Sequence, residues 1–384
     1  MSSLDLLIIN RRFWPEYPVI GESLLKLAES YSGSQKVGVV CQRYKFFKKE
    51  LKEKNRGYKV HFYTSPAFTN SSSKIYLRLI DTIYFALWTL GVIFLSKPRK
   101  IYISTDPPIF VPFLVSLYCK FANSKFIYHV QDIHPEASGL VLNINKFFFR
   151  FLQKIDTYTI SNADFILTLS NRMINTLTKR VKGKIRIGIL ENPSVEFDEF
   201  RLTNTKKKGF VFVGNAGRFQ RIPFLLSAIK KYHSLGGKLE FNFAGGGIYS
   251  KEILQFSENN SLINYHGVIS PEDSAYLAGS YEWALLPIDD RVLDYAFPSK
   301  ASKYIKVGSK ILSISKENSY ISEWVEKKNL GINCSPDIAK LVATFKSIEN
   351  DFCKFDRGID ASSLEEFSNE FFVSSLKRTL DNLE

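Results

Sequence analysis

Cysteine is scarce in this sequence, and its spacing argues against two classes of protein. The 384 residues contain four cysteines, which stand far apart and form neither a CxxC pair nor the ligand spacing of a zinc site. A disulfide scaffold and a zinc module are therefore not expected. The composition instead predicts a reduced, cytoplasmic globular protein whose thiols are scattered through its core at Cys41, Cys119, Cys334 and Cys353.

Long apolar runs are missing as well. The two most apolar stretches, residues 83–95 and 109–122, are shorter than the roughly 20 residues that a membrane-spanning helix needs. Both are rich in aromatic residues, so they are either core helices of an α/β domain or helices that lie against a membrane without crossing it. The first residues, 4–10, have the pattern of a buried strand and not of a secretory signal.

Acidic residues are under-represented in one half of the chain. Residues 1–200 contain 28 Lys and Arg against 16 Asp and Glu, whereas residues 201–384 contain 24 against 22. A basic excess confined to one half predicts a polyanionic surface near that half, either nucleic acid or an anionic bilayer. No nucleic-acid motif accompanies the basic residues, and the aromatic, apolar stretches beside them favour the bilayer. We therefore expect the first half to contact a membrane surface peripherally.

Short apolar segments alternate with longer mixed segments in the first half. Continuous runs of β-branched or aromatic residues are typical of parallel strands that are buried on both faces. Segments such as 21–31 and 145–161 between them have the composition of helices. The alternation predicts a doubly wound α/β sheet. Its strands are expected at residues 4–9, 36–41, 58–63, 100–104, 126–130 and 165–169.

The same pattern restarts after a polar segment at residues 196–208, which is predicted to be a linker. The sequence therefore predicts two Rossmann-like α/β domains, 1–200 and 201–362, with a cleft between them. An amphipathic helix within residues 363–384 is expected to pack back across the domains. The strands of the second domain are expected at residues 210–213, 239–244, 283–287 and 310–314.

Glycine turns follow two predicted strands of the second half. Gly214 and Gly217 follow the strand at 210–213, and Arg218 comes directly after them. Glycines let backbone amides approach a phosphate, and an arginine can bind its oxygens in a bidentate manner. An ordinary strand-to-helix turn with a solvated arginine has the same pattern. The three glycines at 245–247 are typical either of a flexible turn or of a backbone that passes close to a base or ribose.

A proline, a serine and a lysine open a further predicted helix. Pro298 suits the first turn because it lacks an N–H, and Ser299 and Lys300 add a hydroxyl, backbone amides and a positive charge. Gly308 follows the helix where a C-terminal glycine is favoured. The segment predicts a phosphate site at the mouth of an α/β sheet. Together with the two glycine turns, it predicts that the second half binds a nucleotide diphosphate.

Candidate residues of the first half lie in two places. Gly21 follows a proline-rich loop and begins a predicted helix, where it is placed to face a phosphate or the acceptor. Asp132 and Glu136 lie with His129 and His134 after a strand, where acid–base groups are useful. A helix cap by Asp132 beside surface histidines explains the same residues. A metal site is not expected, because no further cluster supplies ligands.

Taken in order, these motifs resemble family 4 glycosyltransferases of the GT-B fold. The resemblance covers nearly the whole chain and is greatest to the branch that assembles bacterial O-antigen, colanic-acid-like polysaccharide and capsule. It includes the proline–glycine loop after the first strand and the GNxGRxQ turn that begins at Gly214. The other matching positions are the Asp-x-x-Pro-Glu motif at Asp132, Pro135 and Glu136 and the PSK turn followed by Tyr304 and Gly308.

The resemblance implies an enzyme that transfers a sugar from a nucleotide diphosphate, with a UDP-sugar as the expected donor. The acceptor would be a lipid-linked saccharide of the undecaprenyl diphosphate type, and transfer would retain the anomeric configuration without a metal. The nucleotide sugar is a co-substrate, and no other cofactor is expected. Such an enzyme would be cytoplasmic and peripherally associated with the inner face of the cytoplasmic membrane.

Roles for particular residues follow from the same resemblance. Arg218 and Lys300 would offset the charge of the leaving diphosphate, and Asp132 would act as a base or as an electrostatic partner of the reacting sugar. Glu136 completes the implied catalytic set. The implied donor-binding residues are Gly21, Gly214, Asn215, Gly217, Gln220, Gly246, Gly247, Val268, Asp290, Pro298, Ser299 and Lys303.

The sequence departs from the family where many members have two glutamates, because Tyr295 and Lys303 stand at those positions. Asp290 and Asp294 lie nearby and could substitute for them. The usual lysine after the arginine is Pro223, so Lys300 or Arg221 would have to supply its charge. Two alternative functions stay open: a nucleotide-sugar epimerase on the same fold, and a non-catalytic subunit that scaffolds an active partner.

Overall fold

Two parallel sheets, each flanked by helices, carry the fold. The computed structural model describes residues 3–69, 75–197, 205–351 and 361–383. The predicted α/β architecture with two doubly wound sheets is confirmed. The chain divides into two units, the first formed by Met1–Asn192, Tyr295–Phe297 and Asn369–Glu384, and the second by Pro193–Asp294 and Pro298–Ser368.

The first unit contains a seven-stranded parallel sheet. Its strands are β1 (Leu6–Ile9), β2 (Val37–Gln42), β3 (His61–Ser65), β4 (Lys100–Ser104), β5 (Lys125–Val130), β6 (Phe165–Thr168) and β7 (Ile187–Ile189). They are arranged in the order β3-β2-β1-β4-β5-β6-β7. The order reverses direction between β1 and β4, which makes the carboxyl ends of these two strands the expected place for a ligand.

Burial explains why β1 is so uniformly apolar. It lies between β2 and β4, with Leu6 opposite both Val37 and Lys100, and all four of its residues are buried. Strands covered by helices on both faces have no polar side to expose. The covering helices are α1 (Pro18–Ser32), α2 (Phe47–Glu53), α3 (Ile75–Ser96), α4 (Phe110–Ala122), α5 (Glu136–Gly139), α6 (Lys146–Ser161) and α7 (Asn171–Arg180).

The second unit repeats the arrangement with six parallel strands. These are β8 (Lys207–Val213), β9 (Glu240–Ala244), β10 (Ile263–Tyr265), β11 (Tyr281–Pro287), β12 (Lys310–Ile314) and β13 (Gly331–Cys334). Their order is β10-β9-β8-β11-β12-β13, so the reversal lies between β8 and β11. The helices are α8 (Ile222–Ser234), α9 (Ser250–Glu258), α10 (Pro271–Gly279), α11 (Lys300–Lys306), α12 (Tyr320–Lys327), α13 (Ile338–Glu349) and α14 (Ala361–Glu366).

The C-terminal segment, where one amphipathic helix was expected within residues 363–384, forms two helices instead. The first is α14, and the second is α15 (Asn369–Asp381), which belongs to the first unit and packs on α1. Phe372, Leu376 and Leu380 of α15 are buried in the core on that side of the sheet. Of the predicted linker at 196–208, residues 198–204 lie outside the described residues, and its last two residues begin β8.

The apolar run at 83–95 belongs to a helix longer than the run itself. Within the described residues, one helix is long and apolar enough to cross a membrane by length and composition, namely Tyr76–Ser96, and 39% of its most apolar stretch is buried in the protein. The run was expected to be too short for such a helix. The difference arises because the preceding residues, which include Arg78 and Asp81, continue the same helix.

Candidate active site

Two strand-end loops of the second unit pack backbone against backbone. The amide of Gly214, after β8, donates to the carbonyl of Ala244 at 2.9 Å, and the amide of Ala216 donates to the carbonyl of Gly246 at 2.7 Å. A Cβ on Gly245 would lie 2.1 Å from the Gly214 oxygen, and Gly245 has a φ of 125°. Only glycine fits there. The close approach of the two loops therefore accounts for part of the glycine triplet.

Gly247 is constrained by the same approach, whereas Gly246 is not. A Cβ on Gly247 would lie 2.4 Å from the Ala216 carbonyl oxygen. A Cβ on Gly246 would meet nothing nearer than the Val268 side chain, at 3.4 Å. Val268 is exposed, so it and Gly246 form an open surface beside the glycine loop. This is the part of the triplet that has room for a ligand.

Lys300 is buried beside the first glycine loop. It is the first residue of α11, and its Nζ is buried and donates no hydrogen bond to any described residue. The Nζ lies 3.9 Å from the centre of the Phe212 ring, and a Cβ on Gly214 would stand 3.7 Å from it. Burial, and secondarily the neighbouring Lys303 charge, lowers the pKa of Lys300 to about 7. An unpaired amine in such a place is ready to receive an anion.

A tyrosine holds α11 in register with β8. The Tyr304 hydroxyl accepts a hydrogen bond from the Val213 amide at 3.0 Å and lies 3.3 Å from the Val213 carbonyl oxygen. The helix ends at Lys306, and Gly308 adopts a φ of 69°, as a C-terminal glycine does. Ser299 precedes the helix in helical conformation, and Pro298 accepts a hydrogen bond from Ala301. These contacts fix the position of Lys300.

Arg218 lies at the tip of the first glycine loop. Its side chain is exposed and has no hydrogen bond or ion pair among the described residues. Gln220 closes the loop behind it, because its Oε1 accepts a hydrogen bond from the Gly217 amide at 3.1 Å. Asn215 is also exposed. The structure thus places Arg218, Asn215 and Lys300 around one loop at the carboxyl end of β8.

Three other charged candidates have partners of their own. Asp290 binds the Arg221 guanidinium at 2.6 Å and accepts a hydrogen bond from the Lys316 amide at 2.9 Å. Arg221 also donates to the Ile288 carbonyl at 2.7 Å. The Lys303 ammonium donates to the Ser274 hydroxyl of α10, and burial lowers the pKa of Lys303 to about 8. In this structure these side chains brace the loops around the candidate site.

Asp132 lies in the loop after β5 of the first unit. Its amide donates to the Thr105 hydroxyl at 3.3 Å, and Asp132 forms an antiparallel bridge with Ala296. The residue as a whole is exposed. Desolvation of its carboxyl group by the surrounding protein is the main cause that raises its pKa to about 6; the Asp106 carboxylate also raises this pKa, and Arg12 lowers it. A carboxyl group with such a pKa is ionised above pH 6. Its assigned role as a base stays a prediction.

Glu136 belongs to a buried network of ion pairs. One of its oxygens lies 3.3 Å from Arg180, and the other accepts a hydrogen bond from Gln153 at 2.7 Å. Arg180 also binds Asp156 at 2.8 Å, and Asp156 accepts a hydrogen bond from Tyr128 at 3.1 Å. The network joins α5, α6 and α7. Both oxygens of Glu136 therefore have structural partners.

The two histidines of the same region have separate surroundings. His129 is fully buried, contacts the Tyr102 hydroxyl at 2.7 Å and packs beside Phe372, and burial lowers its pKa to about 3. His134 contacts the Ser138 hydroxyl at 2.8 Å, and burial lowers its pKa to about 4. Both are neutral near pH 7. Among the described residues, no group of three or more His, Cys, Asp and Glu is placed to hold a metal ion.

Gly21 lies inside α1 and not in the loop before it. A Cβ at this position would stand 2.4 Å from the Trp14 nitrogen and 2.9 Å from the Phe13 carbonyl carbon. The glycine therefore lets the proline-rich loop pack directly on the helix. This contact explains the residue by packing alone, and its assigned part in ligand binding stays a prediction.

One set of residues in the first unit was missed by the sequence analysis. Arg11, Arg12, Arg43 and Arg78 line a cavity of about 210 Å³ beyond the carboxyl ends of β1 and β2. A signal for it was available in part, because Arg11 and Arg12 follow one predicted strand and Arg43 follows the next. Arg78 lies 35 residues further along the chain, and only the packing of α3 brings it there.

Similarity to proteins of known structure supports the description of the fold. The structure of HepE from Anabaena in complex with UDP aligns with a TM-score of 0.67 over 99% of this chain and 100% of that chain, at 13% identity. WaaG, a glycosyltransferase involved in lipopolysaccharide biosynthesis, aligns with a TM-score of 0.63 over 98% of this chain and 99% of that chain, at 10% identity. The chain therefore has the GT-B fold.

A sequence relative adds to this comparison. A Pseudomonas aeruginosa protein named probable glycosyltransferase WbjE is 22% identical over 270 residues. The match spans 64% of this chain and 65% of the relative, somewhat less than two thirds of its length. No protein-family model matches the chain.

Proposed function

We propose that the protein is a glycosyltransferase that moves a sugar from a nucleoside diphosphate donor to an acceptor in bacterial surface polysaccharide biosynthesis. The observation that carries this proposal is the buried, unpaired Lys300 amine beside the glycine loop of a GT-B unit. One of the GT-B proteins that it resembles, HepE from Anabaena, has been solved both with UDP and with UDP and glucose. A UDP-sugar is accordingly the donor we propose.

The proposed mechanism uses positive charge in the second unit. As the bond between sugar and diphosphate breaks, negative charge develops on the diphosphate, and Lys300 and Arg218 are the groups we assign to stabilise it. Lys300 is already desolvated, so its interaction with that charge is stronger than it would be in water. We propose that transfer retains the anomeric configuration and needs no metal. Asp132 is the carboxylate that we assign to the acceptor.

The acceptor that we propose is a lipid-linked saccharide, and its support is an apolar stripe on α3. Five residues of α3 are each more than half exposed and recur at helical spacing, so they form one stripe along the helix: Tyr76, Ile80, Ile83, Leu87 and Phe94. Helices α4 and α6 add the exposed Phe121 and Phe147 to the same unit. A large exposed apolar surface in a basic unit suits the surface of an anionic membrane, at the inner face of the cytoplasmic membrane.

Replacing Arg218 tests the proposed transfer. With a UDP-sugar panel and a polyprenyl diphosphate-linked saccharide as acceptor, Arg218→Ala should lower the transfer rate by about 10²–10³-fold, the usual effect of removing one charge-stabilising group. Because Arg218 is exposed and unpaired among the described residues, the melting temperature should stay unchanged. Lys251→Ala, which removes an exposed charge on α9, is the matched control and should transfer normally.

Three results would contradict the proposal or part of it. Normal transfer by Arg218→Ala would remove the arginine from the mechanism. A product formed from the donor alone, without any acceptor, would instead favour an epimerase. Absence of transfer with every donor, together with absence of UDP binding, would favour a non-catalytic subunit.

Replacing the stripe tests the membrane surface. The variant Ile80→Ser/Ile83→Ser/Leu87→Ser should bind vesicles of mixed neutral and anionic phospholipids at least about tenfold more weakly, since each apolar side chain withdrawn from water contributes roughly 1.5–3 kcal/mol when fully buried. Sedimentation with vesicles measures the effect. A control variant, Leu235→Ser/Leu254→Ser/Ile338→Ser, changes exposed apolar residues of the second unit and should bind as the unaltered protein does. Equal loss in both variants would contradict a specific surface.

A further inference from the structure

The arginine-lined cavity lies in the first unit, whereas Lys300 and Arg218, to which we assign the donor diphosphate, belong to the second. Its described lining residues all lie between Arg11 and Asp81, at the end of β2, in the loops after β1, β2 and β3, and in the first turns of α3. It therefore lies at the carboxyl edge of the sheet, next to the reversal of strand order between β1 and β4. That edge is where ligands bind in doubly wound sheets.

Charge in the cavity is only partly balanced. Asp106 binds Arg11 at 3.1 Å and also accepts a hydrogen bond from the Arg12 amide at 3.0 Å. The Asp81 carboxylate accepts hydrogen bonds from the Phe68 amide at 3.3 Å and from the Thr69 hydroxyl at 2.8 Å. These contacts hold the walls of the cavity. Glu16 is the other acidic residue of the lining.

Two of the four arginines have no such partner. The side chains of Arg43 and Arg78 are exposed and form no ion pair or hydrogen bond with any other described residue. Arg11 directs one guanidinium nitrogen to the Thr82 hydroxyl at 3.1 Å, so it is held at the wall. The Arg12 guanidinium lies 3.8 Å from Asp106. The cavity thus offers two guanidinium groups that are paired with Asp106 and two that are unengaged. Guanidinium groups bind phosphate oxygens in a bidentate manner, and several of them suit a group with more than one phosphate.

We propose that this cavity binds the diphosphate of the acceptor, with Arg43 and Arg78 as its principal ligands. The proposal rests on the proposed function, because it is the lipid-linked acceptor that would bring a diphosphate to the first unit. The stripe that we assign to the membrane begins at Tyr76, in the same first turn of α3 that carries Arg78. At 100° per residue, Arg78 lies on the other side of this helix, about 10 Å from the stripe. A diphosphate at the membrane surface is within that reach.

Binding to vesicles that carry a prenyl diphosphate tests the proposal without measuring transfer. The double variant Arg43→Ala/Arg78→Ala should lose the additional affinity that farnesyl diphosphate gives to neutral vesicles, by about tenfold or more for each guanidinium removed. Lys182→Ala/Lys184→Ala removes the same charge from exposed residues of the first unit outside the cavity and should retain that affinity. Arg43→Lys/Arg78→Lys should give an intermediate loss, because lysine keeps the charge without the bidentate geometry.

Further arms separate the sources of the diphosphate and the two proposals. Inorganic pyrophosphate should compete for the cavity, whereas UDP binding to the second unit, measured by calorimetry, should be the same in the double variant as in the unaltered protein. Unchanged vesicle affinity in Arg43→Ala/Arg78→Ala would overturn the cavity assignment. An equal loss of affinity in Lys182→Ala/Lys184→Ala would overturn it as well. If the unaltered protein did not bind UDP, this would count against the proposed function alone, since the vesicle measurement does not involve the donor.

Discussion

Replacing Lys300 with methionine should abolish UDP binding and at the same time stabilise the unliganded protein. Methionine preserves most of the volume of the lysine stem but removes the amine, which lies buried with no hydrogen-bond partner among the described residues. A buried polar group without a partner costs about 1–3 kcal/mol, and the variant should regain an amount of that order in the free energy of unfolding. Loss of the ligand together with a gain in stability is the trade-off expected where a binding site retains a destabilising buried group.

The pH dependence of UDP binding should carry the signature of the same amine. Burial lowers the pKa of Lys300 to about 7 from an ordinary value of 10.5, so above pH 7 much of the free protein has a neutral amine there. A bound diphosphate favours the charged form and raises the pKa. UDP binding at pH 8 should therefore take up a proton, and the affinity should fall as pH rises above about 7. Calorimetry in two buffers of different ionisation enthalpy measures this uptake.

The stability of the ligand-free protein should change with pH in the direction opposite to that of UDP affinity. Between about pH 7 and 10.5 the unfolded chain binds a proton at Lys300 that the folded protein lacks, so this residue makes the free energy of unfolding rise with pH across that window. Lys300→Met should lack this contribution. Its gain in stability over the unaltered protein should therefore be largest at pH 7 and should shrink towards pH 10.

Lys206 provides a matched control for Lys300. Burial lowers the pKa of Lys206 to about 8, but its ammonium donates to the Val307 carbonyl at 2.7 Å and to the Ser309 hydroxyl at 3.2 Å. It precedes β8, at the end of the strand opposite to Gly214. Lys206→Met should therefore lower stability and leave UDP binding intact. If Lys300→Met bound UDP normally, or if it unfolded more readily than the unaltered protein, the assignment of Lys300 would be wrong.

Replacing Arg180 with alanine should destabilise the first unit by about 3–5 kcal/mol, the usual result of removing one partner from a buried ion pair. The Arg180 and Asp156 side chains are only 9% and 2% exposed. Without the guanidinium, Asp156 would keep only the Tyr128 hydroxyl, and Glu136 would keep only Gln153. Urea unfolding followed by circular dichroism measures the loss.

The size of this loss should depend on pH. Burial raises the pKa of Asp156 to about 6, although Arg180 lowers it, so removing the arginine should raise this pKa further. A carboxyl group with a raised pKa in the folded state loses stability as pH rises from its ordinary value towards the raised one. In the variant this window extends to higher pH. The destabilisation by Arg180→Ala should therefore be larger at pH 8 than at pH 5.

Two further variants separate burial from charge. Arg99→Ala removes an arginine whose ion pair with Asp5 is exposed, at 3.6 Å, and should change stability by less than about 1 kcal/mol. The triple variant Glu136→Gln/Asp156→Asn/Arg180→Met removes all three charges and should recover much of the stability lost by Arg180→Ala. If Arg180→Ala were no more harmful than Arg99→Ala, the network would not hold the helices together.

Comparing stability and transfer in the Arg180 and Glu136 variants also tests Glu136 as a catalytic candidate. A structural residue should affect stability and transfer together, whereas a catalytic one should affect transfer in a variant that remains folded. The sequence motif alone could not separate these roles. Arg180 lies 44 residues after Glu136 in the chain, so the ion pair exists only once α5 and α7 have packed.

Most strands could be predicted because they are continuous apolar runs. The segments 100–104 and 310–314 coincide with β4 and β12, and other predicted strands differ from the observed ones by a few residues at their ends. The strands that were missed are three or four residues long and less apolar. They are β7, β10 and β13, which contain glycine or asparagine and form because neighbouring strands offer them hydrogen-bonding partners. A local pattern carries no information about such partners.

The candidate site could be predicted only as far as its residues are consecutive. The GNxGR turn and the PSK turn were recognisable because glycine, arginine and lysine stand at short spacing after predicted strands. That Lys300 approaches Gly214 depends on the parallel pairing of β11 with both β8 and β12 and on the Tyr304 hydroxyl, which fixes α11. That two glycines of the triplet serve loop packing depends on the distance between two backbones.

By itself the sequence determined the α/β class, the two sheets and the glycine and lysine turns, because periodicity and turn chemistry act over a few residues. Tertiary structure decided which charges are paired. It engaged Glu136 and Asp290 with arginines, and it left Lys300 buried and Arg43 and Arg78 unpaired among the described residues. The physical reason is that the interaction energy and the pKa of a charged group depend on its burial and on neighbours distant in the chain, and folding alone sets both.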